Sequence, residues 1–153
     1  DPRPSRVAGI KWAEVMRRAT ELGRKQAPGR DPRVVVRPRG SRDRDFVANF
    51  KRGDEWEDFE LILRTLREMG AKPLLVAMPL HGVDLEASGV SAEARKAFGD
   101  HLEALAGQYE MPLVYFEQFE EDPSFFADHQ DHPGARGWAL YNQTLDAFFH
   151  GQL

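Results

Sequence analysis

Two short apolar runs, each preceded by helix-forming sequence, constrain this chain more than any other feature. The first, Lys72-Pro73-Leu74-Leu75-Val76-Ala77-Met78-Pro79, is fenced by prolines; the second extends from Met111 to Phe116. Neither shows the alternation of a half-solvated strand. A continuous apolar run of this length reads as a strand covered on both faces, which is the habit of parallel sheets. The stretch before the first run, Asp54 to Met69, has helical periodicity. Trp56, Phe59, Leu63 and Leu66 form one stripe, joined by Ile62. Asp54 and Glu57 have capping-box spacing, and Gly70 suits the turn out of the helix. Ser91 opens a second helix reaching about Tyr109, with Ala94, Phe98, Leu102 and Leu105 on one face. A last helix spans about Gly134 to Phe149. Helices alternating with covered strands predict an α/β fold, a parallel sheet clothed by helices. Two strands make a thin sheet, so further strands are expected from sequence upstream of Asp1.

Lys11 to Gln26 also has helical spacing, with Trp12, Val15, Met16, Ala19 and Leu22 on one side, and Pro28-Gly29 ends it. From Ala27 to Arg44 the chain is rich in Pro, Gly, Arg and Asp. It reads as a loop with one strand-like burst at Val34-Val35-Val36. Residues 1–44 hold 13 Lys and Arg against 5 Asp and Glu, whereas residues 45–153 hold 8 against 20. Such a basic segment is suited to phosphates of a lipid surface, an anionic polymer or nucleic acid, or is simply a solvated arm. The length of 153 residues suits one domain, 1–153, with 1–10 and 27–44 as flexible basic segments. There are no cysteines, which excludes disulfides and thiolate chemistry. No run approaches the roughly 20 apolar residues that span a bilayer. Asp1-Pro2-Arg3-Pro4 does not read as a signal peptide, so any anchor or export signal is expected upstream.

Ligands of parallel sheets bind beyond the carboxyl ends of the strands, which directs attention to loops 79–90 and 117–133. The second ends in Asp128-His129-Gln130-Asp131-His132-Pro133-Gly134, followed by Arg136-Gly137-Trp138. His132, at a loop-to-helix junction, is the candidate general base. A carboxylate that fixes its tautomer and stabilises the imidazolium completes the pair. Asp128 and Asp131 are the candidates. Asp131 is adjacent in sequence, which makes the return geometry awkward, so Asp128 is the better orienter. Asp128, His129, Asp131 and His132 are also possible ligands for a divalent ion, but their spacing fits no standard zinc pattern. In the first loop, His81 is a candidate donor to substrate and Gly82 a point of close backbone approach, although taken by themselves these residues read first as a plain turn. Trp56 and Trp138 read as packing residues, and Phe125-Phe126 as the pair that holds the acidic loop down. None of Ser5, Ser41, Ser88, Ser91 and Ser124 lies in a nucleophile elbow or directly after an apolar strand.

These residues resemble the DltD family, the D-alanyl transfer proteins of teichoic acid modification. The resemblance runs through Asp45-Phe46 to Asn49-Phe50 and Trp56 to Leu63. It continues in Met78-Pro79-Leu80-His81-Gly82, similar to a family strand ending in Pro-x-Asn-Gly, and in Ser88-Gly89-Val90-Ser91, similar to Thr-Gly-Val-Ser. It closes on Asp128 to Trp138, similar to Asp-x-x-His-Leu-Gly-x-x-Gly-Trp. The anchors fall in order over roughly residues 11–150. The resemblance implies an SGNH-hydrolase-like, three-layer α/β fold outside the cytoplasmic membrane, held by an upstream anchor. It also implies a Ser-His-Asp triad with His132 as the histidine and Asp128 as the aspartate. Implied partners are a D-alanyl carrier protein, a membrane-bound O-acyltransferase and an anionic polymer or lipid surface rather than nucleic acid; no cofactor is implied. Three departures stand out. The aspartate lies four positions before His132, not three; His81 replaces an asparagine; and the Gly-Ser-Ser segment that carries the family serine is not in this sequence. The expectation is therefore a C-terminal part of such a protein, inactive alone, that assists O-acyl transfer in the intact protein. An SGNH-type esterase or thioesterase, and a non-catalytic polymer- or partner-binding module, are the alternatives.

Overall fold

The computed structural model describes residues 10–129 and 131–153. Ten short elements follow one another: α1 (Trp12–Gln26), α2 (Asp43–Arg52), α3 (Glu55–Glu68), β1 (Leu75–Ala77), α4 (Gly82–Ala87), α5 (Ala92–Gln108), β2 (Leu113–Tyr115), 3-10 turns at Glu117–Phe119 and Pro123–Phe125, and α6 (Ala135–Phe149). The two apolar runs become β1 and β2. They pair in parallel, with Leu75 opposite Leu113, Val76 opposite Val114 and Ala77 opposite Tyr115. The result is an α/β arrangement with a small two-stranded sheet.

Each strand is only half-buried, but its alternating side chains serve two separate apolar clusters. Leu75 packs against Leu63, Leu105, Tyr109 and Met111, where α3 and α5 meet the sheet. Val76 and Val114 point the other way, to Phe116, Phe125 and Phe126, with Leu140 of α6 against the same group. Phe125 and Phe126 are fully buried, so they do hold the acidic loop down. α6 in turn packs on α1, where the Trp12 indole donates to Asp146 at 2.7 Å.

Helix ends follow local chemistry. Ser91 caps α5, its hydroxyl accepting from the Ala94 N–H. Gly70 leaves α3 with φ +65°, and the Ala71 N–H returns to the Leu66 carbonyl. The capping box expected at Asp54 does not form: Asp54 itself has helical dihedrals and its side chain makes no capping bond.

Two further expectations change. Val34-Val35-Val36 is not a strand, and Val35 and Val36 are exposed. A strand needs a partner to take its backbone groups. Here the backbone of the basic segment instead bonds sideways, from Arg37 N–H to Ala87 O (2.9 Å) and from Arg42 N–H to Gly89 O (3.0 Å). After it comes α2, which the sequence pattern did not reveal. Phe50 packs edge-on to Phe98 of α5, and the Asp43 carboxylate accepts from both the backbone N–H and the hydroxyl of Ser91, each at 2.7 Å. Trp138, expected to pack, is half-exposed beside Tyr141. No helix among the described residues is long and apolar enough to cross a membrane.

Candidate active site beyond the carboxyl ends of the strands

Both loops that leave the strands are tied together before any site residue is reached. The Gly82 N–H donates to the Glu120 carbonyl at 2.8 Å. A Cβ at Gly82 would lie 2.8 Å from that oxygen, so a side chain here would push the loops apart. Arg95, almost wholly buried, donates to Glu120 at 2.9 Å, to Glu86 at 3.2 Å and to the Val90 carbonyl at 3.1 Å. The other Glu120 oxygen accepts from the Tyr115 hydroxyl at 2.9 Å. This network fixes α4 relative to the segment after β2.

The acidic-histidine loop is closed at its base. Phe126 and Pro133 form an antiparallel bridge, with Ala127 N–H to His132 O at 2.8 Å and Gly134 N–H to Phe125 O at 2.7 Å. Asp131 takes the turn with φ +59°, a conformation that aspartate tolerates better than most residues. The loop then delivers its two imidazoles to different places.

His132 is outermost. Its Nδ1 lies 2.7 Å from Asp128 Oδ2, with 64% of the His132 side chain and 44% of the Asp128 side chain exposed. Bonded in this way, the imidazole keeps Nε2 as the atom that can exchange a proton with another group. Asp131 goes elsewhere. Its carboxylate accepts from the His81 backbone N–H, and burial of the carboxyl pushes its pKa up from the usual range. It also borders an apolar groove of about 960 Å³ that runs along β1 and includes Trp56, Val76 and Tyr141.

His129 turns inward. Its Nδ1 lies 2.8 Å from Asp84 Oδ2, and His81 Nδ1 approaches the same oxygen at 3.4 Å. Asp84 Oδ1 accepts from the Asp31 N–H at 2.9 Å. Asp31 is itself gripped by Arg33, whose hydrogen bond is the main reason its carboxyl is held down at about 2. His81 is buried, its ring 4.5 Å from that of Phe126. Thus the two first-loop residues singled out from sequence are engaged within the protein: Gly82 meets Glu120, and the His81 ring meets Asp84 and Phe126. The four loop residues considered together as metal ligands separate into His132 with Asp128, His129 with Asp84, and Asp131 against His81.

Asp84 and Asp31 were not singled out from sequence. Asp84 stands three positions after His81, which would place both on one helical face had α4 been expected there. The remaining serines with assigned bonds are committed elsewhere: Ser88 donates to Leu85 O, Ser91 to Asp43 and Ser124 to Asp122. Ser5 lies outside the described residues.

Comparison with known proteins agrees with the sequence pattern. The family model described as DltD protein matches residues 38–150. Protein DltD of Bacillus subtilis (strain 168) is 23% identical over 150 residues, covering 90% of this chain and 37% of that protein. Protein DltD of Staphylococcus aureus (strain NCTC 8325 / PS 47) is 22% identical over 162 residues, covering 98% of this chain and 40% of its own length. The chain therefore spans about two fifths of the length of these curated relatives.

Proposed function

The chain belongs to the DltD family, in its C-terminal portion, and from that premise we propose that it supplies the histidine and aspartate of a Ser-His-Asp triad for O-acyl transfer. The acyl group is D-alanyl, and the acceptor is teichoic acid or a similar anionic envelope polymer. The observation that carries this reading is the 2.7 Å His132–Asp128 bond, held on an exposed loop beyond the strands.

In this reading a serine from another part of the protein presents its hydroxyl to His132 Nε2. The imidazole takes the proton as the serine oxygen attacks the acyl carbonyl, and gives it to the departing group. An acceptor hydroxyl then attacks the acyl-serine. His132 takes the acceptor's proton and returns it to the serine oxygen, so the pair is restored after each transfer. Asp128 keeps the ring in the tautomer with its proton on Nδ1 and stabilises the imidazolium.

The finer parts of the proposal rest on family resemblance. The strands β1 and β2 would belong to a larger SGNH-hydrolase-like sheet. The protein would act outside the cytoplasmic membrane on an anchor upstream of Asp1, with a D-alanyl carrier protein and a membrane-bound O-acyltransferase as partners. The basic balance of residues 1–44 suits an anionic polymer or lipid surface.

The test is complementation with the full-length protein, measuring D-alanine esters on the polymer. His132→Ala is expected to abolish their formation while the protein is made and folded at wild-type level. Undiminished esterification in that variant would remove His132 from the chemistry. Release of the acyl group to water, with no dependence on polymer, would identify a hydrolase instead.

A further inference from the structure

We propose that His81, Asp84 and His129 form a binding site for one divalent transition-metal ion of the zinc class, separate from the His132–Asp128 pair. One donor atom from each of the three residues can be chosen so that all lie within 4.8 Å of one another. Asp84 Oδ2 is the shared point, with His129 Nδ1 at 2.8 Å and His81 Nδ1 at 3.4 Å. Metal–nitrogen and metal–oxygen bonds of about 2.0–2.2 Å set tetrahedral donor atoms about 3.3–3.5 Å apart. The His81–Asp84 separation already has this value. The His129–Asp84 separation needs to open by about half an ångström.

The second observation is His81 itself. Its side chain is 4% exposed, and among the described residues neither ring nitrogen has a hydrogen-bond partner. A buried imidazole with no hydrogen bond calls for a water or an ion. Asp84 alone does not meet that need, because the 3.4 Å approach of its Oδ2 to His81 Nδ1 does not have hydrogen-bond geometry. A cation between the three donors would satisfy His81, His129 and Asp84 together.

The surroundings resemble those of a metal ligand set. The Asp31 N–H holds Asp84 Oδ1 at 2.9 Å and so aims Oδ2 at the imidazoles, as outer-shell groups do around metal ligands. The nearby Arg33 guanidinium is bound to both oxygens of Asp31. Two imidazoles and one carboxylate favour zinc-like ions over magnesium or calcium, which prefer all-oxygen shells. Three protein donors leave a fourth position for water or another ligand. The site stands apart from the acyl-transfer reading, since neither His132 nor Asp128 enters it.

The full-length protein, stripped with a chelator, would be titrated with Zn²⁺ by calorimetry and with Co²⁺ by visible absorption. One equivalent is expected to bind with micromolar or tighter affinity, with a Co²⁺ spectrum of four- or five-coordinate N/O ligation. Magnesium in excess is expected not to displace it. His129→Ala and Asp84→Asn are expected to weaken binding at least tenfold, while His132→Ala leaves it within about twofold. His129 is the decisive position because it is partly exposed, and circular dichroism would confirm that its variant is folded. Three results would overturn the site: no saturable uptake, uptake unchanged by His129→Ala, or uptake lost in His132→Ala instead.

Discussion

His129 and His132 lie three positions apart, yet their surroundings are opposite. The outer imidazole pairs with an aspartate of its own loop, four positions away, in contact with solvent. The inner one pairs with Asp84, 45 positions away in α4, beside buried His81. The difference lies in what each aspartate is fastened to. Asp84 is held by a helix and by the Asp31 backbone, so the inner pair depends on the whole loop network. The outer pair joins two residues of one closed loop. An exposed imidazole–carboxylate bond adds little to stability, which leaves it available for chemistry. The part-buried inner pair is tied into the framework, and removal of one partner leaves the other without its bond.

The sharpest test of this contrast is Asp128→Asn. In the proposed reaction, acyl transfer by the full-length protein is expected to fall by about 10⁴-fold, as when the orienting aspartate of a triad loses its charge. A rate within threefold of wild type would move the orienting role away from Asp128. Next in size is Asp84→Ala, which leaves the Asp31 N–H and His129 without their acceptor. Chemical denaturation is expected to show a loss of about 3 kcal/mol. An unchanged midpoint would mean that the inner pair is no more structural than the outer.

Gly82→Ala comes third. Its added methyl must displace the Glu120 carbonyl, at an expected cost of about 1–2 kcal/mol in the same assay. If the two loops are held as described, the variant also lowers the proposed transfer, because it shifts the frame of both pairs.

The smallest effect concerns a third carboxylate with a long-range hold. The backbone hydrogen bond from Ser91, followed by that of its hydroxyl, lowers the pKa of Asp43 from the usual 3.8. A lowered folded-state pKa stabilises the protein above the unfolded value. That contribution disappears as pH falls through the folded value. Thermal midpoints measured from pH 7 downward should therefore decline below about pH 4. Asp43→Asn should be less stable at neutral pH and show a shallower acid decline. Parallel curves would mean that Asp43 does not sense folding.

The helices and strands that frame the site were legible where residues report on their own neighbours. The stripe from Trp56 to Leu66, the Ser91 cap and the proline-fenced run around Val76 each announce an element within one turn or strand. α2 was not legible because its apolar residues Phe46, Val47 and Phe50 sit among Arg, Lys and Asp, and its packing depends on Phe98 far along the chain. α4, six residues long, carries too little periodicity to separate from a turn. The Asp54 box failed because capping spacing does not specify the dihedrals of the capping residue. Within the site, the proximity of Asp128 to His132 follows from their being one loop apart. Nothing local to His129 points to Asp84, whose position is set by Arg95 and Glu120.

The bridge between Phe126 and Pro133 has a consequence for how this corner of the molecule can vary. It acts as a drawstring: the buried phenylalanines below hold the neck, whatever the circumference of the noose above. A one-residue change of length, such as the extra step between Asp128 and His132, is taken up in the noose without re-threading the hydrophobic layer. The mount stays fixed as the tip varies, so long as His129 keeps Asp84 and Asp131 keeps the His81 N–H.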